Sequence, residues 1–88
     1  MHDHNYGGDV VADAQAAIEA ALPGAKVEVS GGGGHFVIRV VSADFAGKRL
    51  MPRQRVVYGA IAHLMAGGAA PIHAVDSLIC LAPDEPGA

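Results

Sequence analysis

Four consecutive glycines, Gly31 to Gly34, separate two stretches of alternating character, and that placement constrains the fold more than any other feature. Before them, Val27 and Val29 share one parity while Lys26, Glu28 and Ser30 share the other. After them, Phe36, Ile38 and Val40 alternate with His35, Val37, Arg39 and Val41. A period of two on both sides of a glycine turn is the signature of a β-hairpin. The run of glycines predicts a turn too permissive to be stiff. It is not a phosphate loop, because no Lys-Ser/Thr pair follows it and no helix opens behind it.

Helical periodicity flanks the hairpin. Val10, Val11, Ala14, Ala17, Ile18, Ala21 and Leu22 recur on one face. Asp9 stands ahead of them as an N-cap, and Pro23-Gly24 stops the helix. A second stripe comprises Val56, Val57, Ala60, Ile61, Leu64 and Met65, with Pro52 in the first turn and Gly67-Gly68 at the end. An apolar run over 72–81 reads as a last strand. The order α-β-β-α-β predicts an α+β fold, a two-layer sandwich with a three-stranded mixed sheet packed on two helices. The expected limits are a flexible tail over 1–8, one domain over 9–83 and a polar tail over 84–88.

An 88-residue chain forms one small domain. Cys80 is the single cysteine, which excludes an internal disulfide and points to a reducing compartment. Its apolar neighbours Leu78, Ile79 and Leu81 suggest a buried thiol. The start of the chain is polar and resembles no signal peptide, and no apolar run reaches the roughly 18 residues of a membrane span. The expected address is the cytoplasm.

The net charge of −3 argues against a strong non-specific nucleic-acid binder. Lys48, Arg49, Arg53 and Arg55 nevertheless fall within eight residues at the start of the second helix, where the helix dipole disfavours cations. They are expected on the surface, outside any core ion pair. They serve either as a solvated face or as a contact for phosphate or an acidic partner.

Five histidines remain. His2 and His4 belong to the tail, and His63 lies beside the apolar stripe of the second helix. His35 opens the second strand and His73 opens the third. If those strands run parallel, joined by the second helix as a crossover, both imidazoles meet at one end of the sheet. Imidazole ligates borderline metals, iron in some iron–sulfur centres included. Two histidines and a lone cysteine make only half a site. No HExxH, CxxC, Ser/His/Asp set or carboxylate pair is present, so nothing in the residues calls for an enzyme or a small-molecule substrate.

The ordered set Val27-Glu28-Val29-Ser30-Gly31, Gly34-His35-Phe36, Val40-Val41-Ser42-Ala43-Asp44-Phe45-Ala46-Gly47-Lys48, Arg53-Gln54-Arg55-Val56-Val57-Tyr58 and Ile72-His73-Ala74-Val75 closely resembles the BolA family. The likeness runs from about residue 9 to Pro83. It implies an α-β-β-α-β fold related to class II KH domains. It also implies a heterodimer with a monothiol glutaredoxin of the CGFS type, sharing a [2Fe–2S] cluster. His73 matches the family's histidine before the last strand, and His35 matches its hairpin-loop ligand. The glutaredoxin cysteine and a glutathione thiol would supply the remaining ligands, so the chain alone would carry no cofactor. The same resemblance implies an alternative, a DNA-binding transcriptional regulator acting through the basic start of the second helix. Arg53-Gln54-Arg55 stands where the family often has Arg-His-Arg. The loop from Gly67 to Pro71 is longer than usual. Asp76-Ser77 inserts one residue into the last strand, which predicts a bulge and leaves the facing of Cys80 open.

Overall fold

Asp9 caps the first helix as its sequence suggests. Its carboxylate accepts a 3.2 Å hydrogen bond from the Ala12 N–H, and helix α1 runs Val10–Ala21. The computed structural model describes residues 8–88, so the expected N-terminal tail, with His2 and His4, lies outside the described residues except for Gly8. Strands β1 (Lys26–Gly32) and β2 (His35–Val41) follow. The 3-10 turn η1 (Ala43–Phe45) leads into helix α2 (Leu50–Met65) and strand β3 (Ala74–Leu81). The sheet order is β1-β2-β3, antiparallel in the first pair and parallel in the second. This is the mixed α+β arrangement expected.

The hairpin is tighter than four glycines suggest. Gly31 and Gly32 belong to β1 and pair with Phe36 and His35, so the loop is only Gly33-Gly34. Both have positive φ, 63° and 85°, as a two-residue turn matching the strand twist requires. Helix α2 begins at Leu50, two residues before Pro52. The last strand begins at Ala74, two residues later than its apolar run implies. Ile72 is fully buried ahead of the strand and donates its N–H to the carbonyl of Leu64, at the end of α2.

The core sits between the helices and one face of the sheet. Ala14, Ile18 and Leu22 of α1 meet Val57, Ile61 and Leu64 of α2 over Val27, Phe36, Ile38, Val40 and Cys80. Phe45 and Ile72 close the ends from the connections. Each large aliphatic buried here contributes roughly 1.5–3 kcal/mol of transfer free energy.

Facing in β3 depends on one extra residue. Phe36 pairs with Val75, but Val37 pairs with Ser77, and Asp76 is left over. The bulge moves Leu78 opposite Ile38 and Cys80 opposite Val40, both inward-facing partners. Strict alternation from Val75 would have turned Ser77 and Ile79 into the core and Cys80 outward. The bulge therefore settles the open question: Cys80 is buried, and burial pushes its thiol above the ordinary range.

Candidate metal centre

Parallel pairing of β2 with β3 brings the two histidines to the same end of the sheet. His35 is the first residue of β2, and its register partner is Ala74, the residue after His73. Both histidines are exposed at the same end of the sheet, as their positions at the two strand starts imply.

Each is held in its own way. The His73 N–H donates to the carbonyl of Gly34 at 2.8 Å, and the Ala74 N–H donates to the same oxygen at 3.0 Å. The backbone of one histidine is thus tied to the residue before the other. The His73 ring lies against the α-carbon of the buried Gly34. His35 is held through its side chain, with Nδ1 3.1 Å from Oδ1 of Asp76. A carboxylate only accepts, so the imidazole donates through Nδ1–H, and in the neutral ring the lone pair then lies at Nε2. A histidine ligand whose second nitrogen bonds a carboxylate is the usual arrangement in metal sites. The side chains of His35 and Asp76 are 60% and 55% exposed, so a partner or a metal can reach them.

Among the described residues, no group of three or more His, Cys, Asp or Glu side chains is placed to hold a metal ion. An iron at this end of the sheet would take His35, His73 and further ligands from outside the chain. Cys80 lies on β3 opposite Val40, six residues beyond the start of the strand, and is buried, so it does not contribute.

The four cations do not behave as one patch. Lys48, Arg49 and Arg55 are exposed, but Arg53 is buried. Its Nε donates to the Lys48 carbonyl at 2.9 Å, and one terminal nitrogen donates to the Cys80 carbonyl at 3.1 Å. The two terminal nitrogens grip the Glu85 carboxylate at 2.6 and 2.8 Å, and the guanidinium lies 5.8 Å from the Phe45 ring centre. The expectation that Arg53 stands free on the surface is therefore corrected. Sequence proximity offered it only Asp44, whereas the fold brings Glu85 from 32 residues away. Glu85, within the expected polar tail, also accepts the Ala82 N–H at 2.8 Å.

The remaining cations and the histidines occupy opposite ends of the sheet. Arg53, one turn into α2, reaches the end of β3, while Ile72, just before β3, bonds Leu64 near the end of α2. Seven residues of β2 separate the two ends, about 20 Å at the usual rise per residue. Leu50 and Met51, 58% and 57% exposed, sit among the cations and went unremarked in the sequence because a helix start offers no periodicity to judge them by.

Comparison with known proteins adds the family. The model for BolA-like proteins matches residues 12–85. A curated relative from Acinetobacter guillouiae, named the uncharacterized protein in the rpoN-murA intergenic region, is 45% identical over 58 residues, which is 66% of this chain and 68% of the relative. Among solved structures, BolA1 from Arabidopsis thaliana has the same fold with a TM-score of 0.75 at 20% identity, covering 89% of this chain and 96% of that one. The BolA domain of SufE1 from the same plant gives 0.72 at 26% identity, again over 89% and 96% of the two chains. Among the described residues, no helix is long and apolar enough to cross a membrane.

Proposed function

The chain belongs to the BolA family, and from that premise we propose that it pairs with a monothiol glutaredoxin of the CGFS type and shares a [2Fe–2S] cluster with it, for iron–sulfur trafficking or iron-dependent regulation. The observation that carries this reading is the pair of exposed histidines at one end of the sheet, with His35 tied through Nδ1 to Asp76 and His73 seated on Gly34. In the heterodimer, His35 and His73 bind one iron, and the glutaredoxin cysteine with a glutathione thiol holds the other. The cluster supplies one-electron chemistry and a transferable iron–sulfur unit, and mixed imidazole and thiolate ligation raises its potential relative to all-thiolate sites. The chain's own work is to present two neutral imidazole lone pairs in fixed relation and to leave the other ligands to its partner. No catalytic step belongs to this reading.

Titration against a monothiol glutaredoxin, with and without iron, sulfide and glutathione, tests it. Size-exclusion chromatography should show one heterodimer that carries visible absorption only when all three are supplied. A mixture that remains two separate species under every condition contradicts it.

A second reading has its own observation. Lys48, Arg49 and Arg55 are exposed together with Leu50 and Met51 at the opposite end of the molecule. This surface suits the DNA-binding role, with phosphates as the target of the cations. The net charge of −3 and the removal of Arg53 from the surface weaken it. Binding that falls steeply with added salt supports the DNA role, and binding indifferent to salt contradicts it.

A further inference from the structure

We infer that Gly34 is the positioning residue for His73: the missing side chain at residue 34 makes room for the His73 imidazole at the end of the sheet where His35 stands. The inference rests on the reading above for its consequence, iron binding, but its geometry stands in the free chain. A β-carbon built at Gly34 would lie 2.6 Å from Nδ1 of His73, 2.8 Å from Cγ and 3.1 Å from Cε1. Real β-carbons do not approach other atoms so closely, so any side chain at residue 34 evicts the ring or moves the strand start. The same residue accepts the N–H groups of His73 and Ala74 and is covalently joined to His35. One residue therefore fixes the backbone of one ligand, the ring of that ligand and the chain position of the other.

Its neighbour provides the control. Gly33 and Gly34 both have positive φ, 63° and 85°, so alanine is strained at either position. A β-carbon at Gly33 would meet nothing within 4 Å. Gly33→Ala therefore reports the backbone cost alone, and Gly34→Ala reports that cost plus loss of the ring seat.

The test compares the two variants. Imidazole proton and nitrogen resonances of His73 are recorded in the free protein, and visible circular dichroism is recorded after reconstitution with monothiol glutaredoxin, glutathione, iron and sulfide. Gly33→Ala should keep the His73 resonances and the cluster bands. Gly34→Ala should displace the resonances and lose or shift the bands. Identical His73 resonances in the two variants would overturn the inference. Should Gly34→Ala fail to fold, Gly34→Ala with His73→Ala decides. Removing the ring relieves the clash, so the double variant should recover the stability of Gly33→Ala, a non-additivity typical of residues in contact. A double variant as unstable as Gly34→Ala alone would show that only the backbone matters and would overturn the inference. Failure of the functional reading looks different: His73→Ala would leave the cluster bands unchanged while the ring displacement in free Gly34→Ala persisted.

Discussion

Arg53 and Glu85 form a two-point ion pair that fastens the segment after β3 to the first turns of α2. The guanidinium is largely shielded from water. The pair is part of the fold and leaves Lys48, Arg49 and Arg55 as the exposed cations around the start of α2.

The pair makes stability depend on acid. Accepting the Arg53 hydrogen bonds, and after that the Ala82 N–H, holds the Glu85 carboxyl at about 2 against an ordinary 4.5. A group with a lowered native value stabilises fully above its unfolded value and loses that contribution as pH falls through the native one. Stability from Glu85 is therefore complete above about 4.5 and drains away towards about 2. Glu85→Gln should lower the denaturant midpoint at neutral pH and flatten its fall between these values. An acid limb of unchanged slope in chemical denaturation would contradict the role given to Glu85.

Arg53 and Arg55 should part company on substitution. Arg53→Ala leaves the Glu85 carboxylate without its cation and the Cys80 carbonyl without that donor, and should lower the midpoint clearly. Arg55→Ala is a surface change and should stay within about 0.5 kcal/mol. Equal midpoints for the two variants would contradict the burial of Arg53.

The two ends of the sheet should be separable. Arg49→Ala with Arg55→Ala should leave cluster absorption in the heterodimer intact while weakening any salt-dependent DNA binding and reducing its salt slope. Loss of the cluster in this variant would mean that the glutaredoxin docks across both ends.

Asp76 has two consequences, one for packing and one for His35. Asp76→Asn keeps the extra residue, so Cys80 should remain unreactive towards a thiol reagent in the native state. The carboxylate that favours the Nδ1–H form of His35 is gone, so nitrogen NMR should show that ring shifting towards its other tautomer. Deleting Asp76 removes the bulge but leaves Ser77 next to Val75, so plain alternation keeps Leu78 and Cys80 opposite the inward-facing Ile38 and Val40, and the Cys80 thiol should stay protected. A deletion variant whose Cys80 becomes reactive in the folded state would contradict this register.

Periodicity carried most of this architecture in plain view. The two helical stripes, the alternating hairpin and the parallel third strand followed from spacing, and the extra residue at Asp76-Ser77 announced the bulge. The histidines were legible because strand starts on parallel neighbours must coincide. Arg53 was misjudged because the only acid near it in sequence was Asp44, and its true partner arrives through a contact 32 residues away. The turn was misjudged because composition gives glycines flexibility, whereas register assigns two of the four to a strand. Gly34 looked like one glycine among four until the position of the His73 ring distinguished it.

The spectrum of the heterodimer tests the central claim most directly. The wild-type chain, His35→Ala and His73→Ala are each reconstituted with the same monothiol glutaredoxin, glutathione, iron and sulfide, and their visible absorption and circular dichroism are compared. The account predicts wild-type bands distinct from those of the glutaredoxin alone, with loss or reversion to the glutaredoxin pattern when either histidine is removed. Wild-type bands that survive in both variants would contradict it.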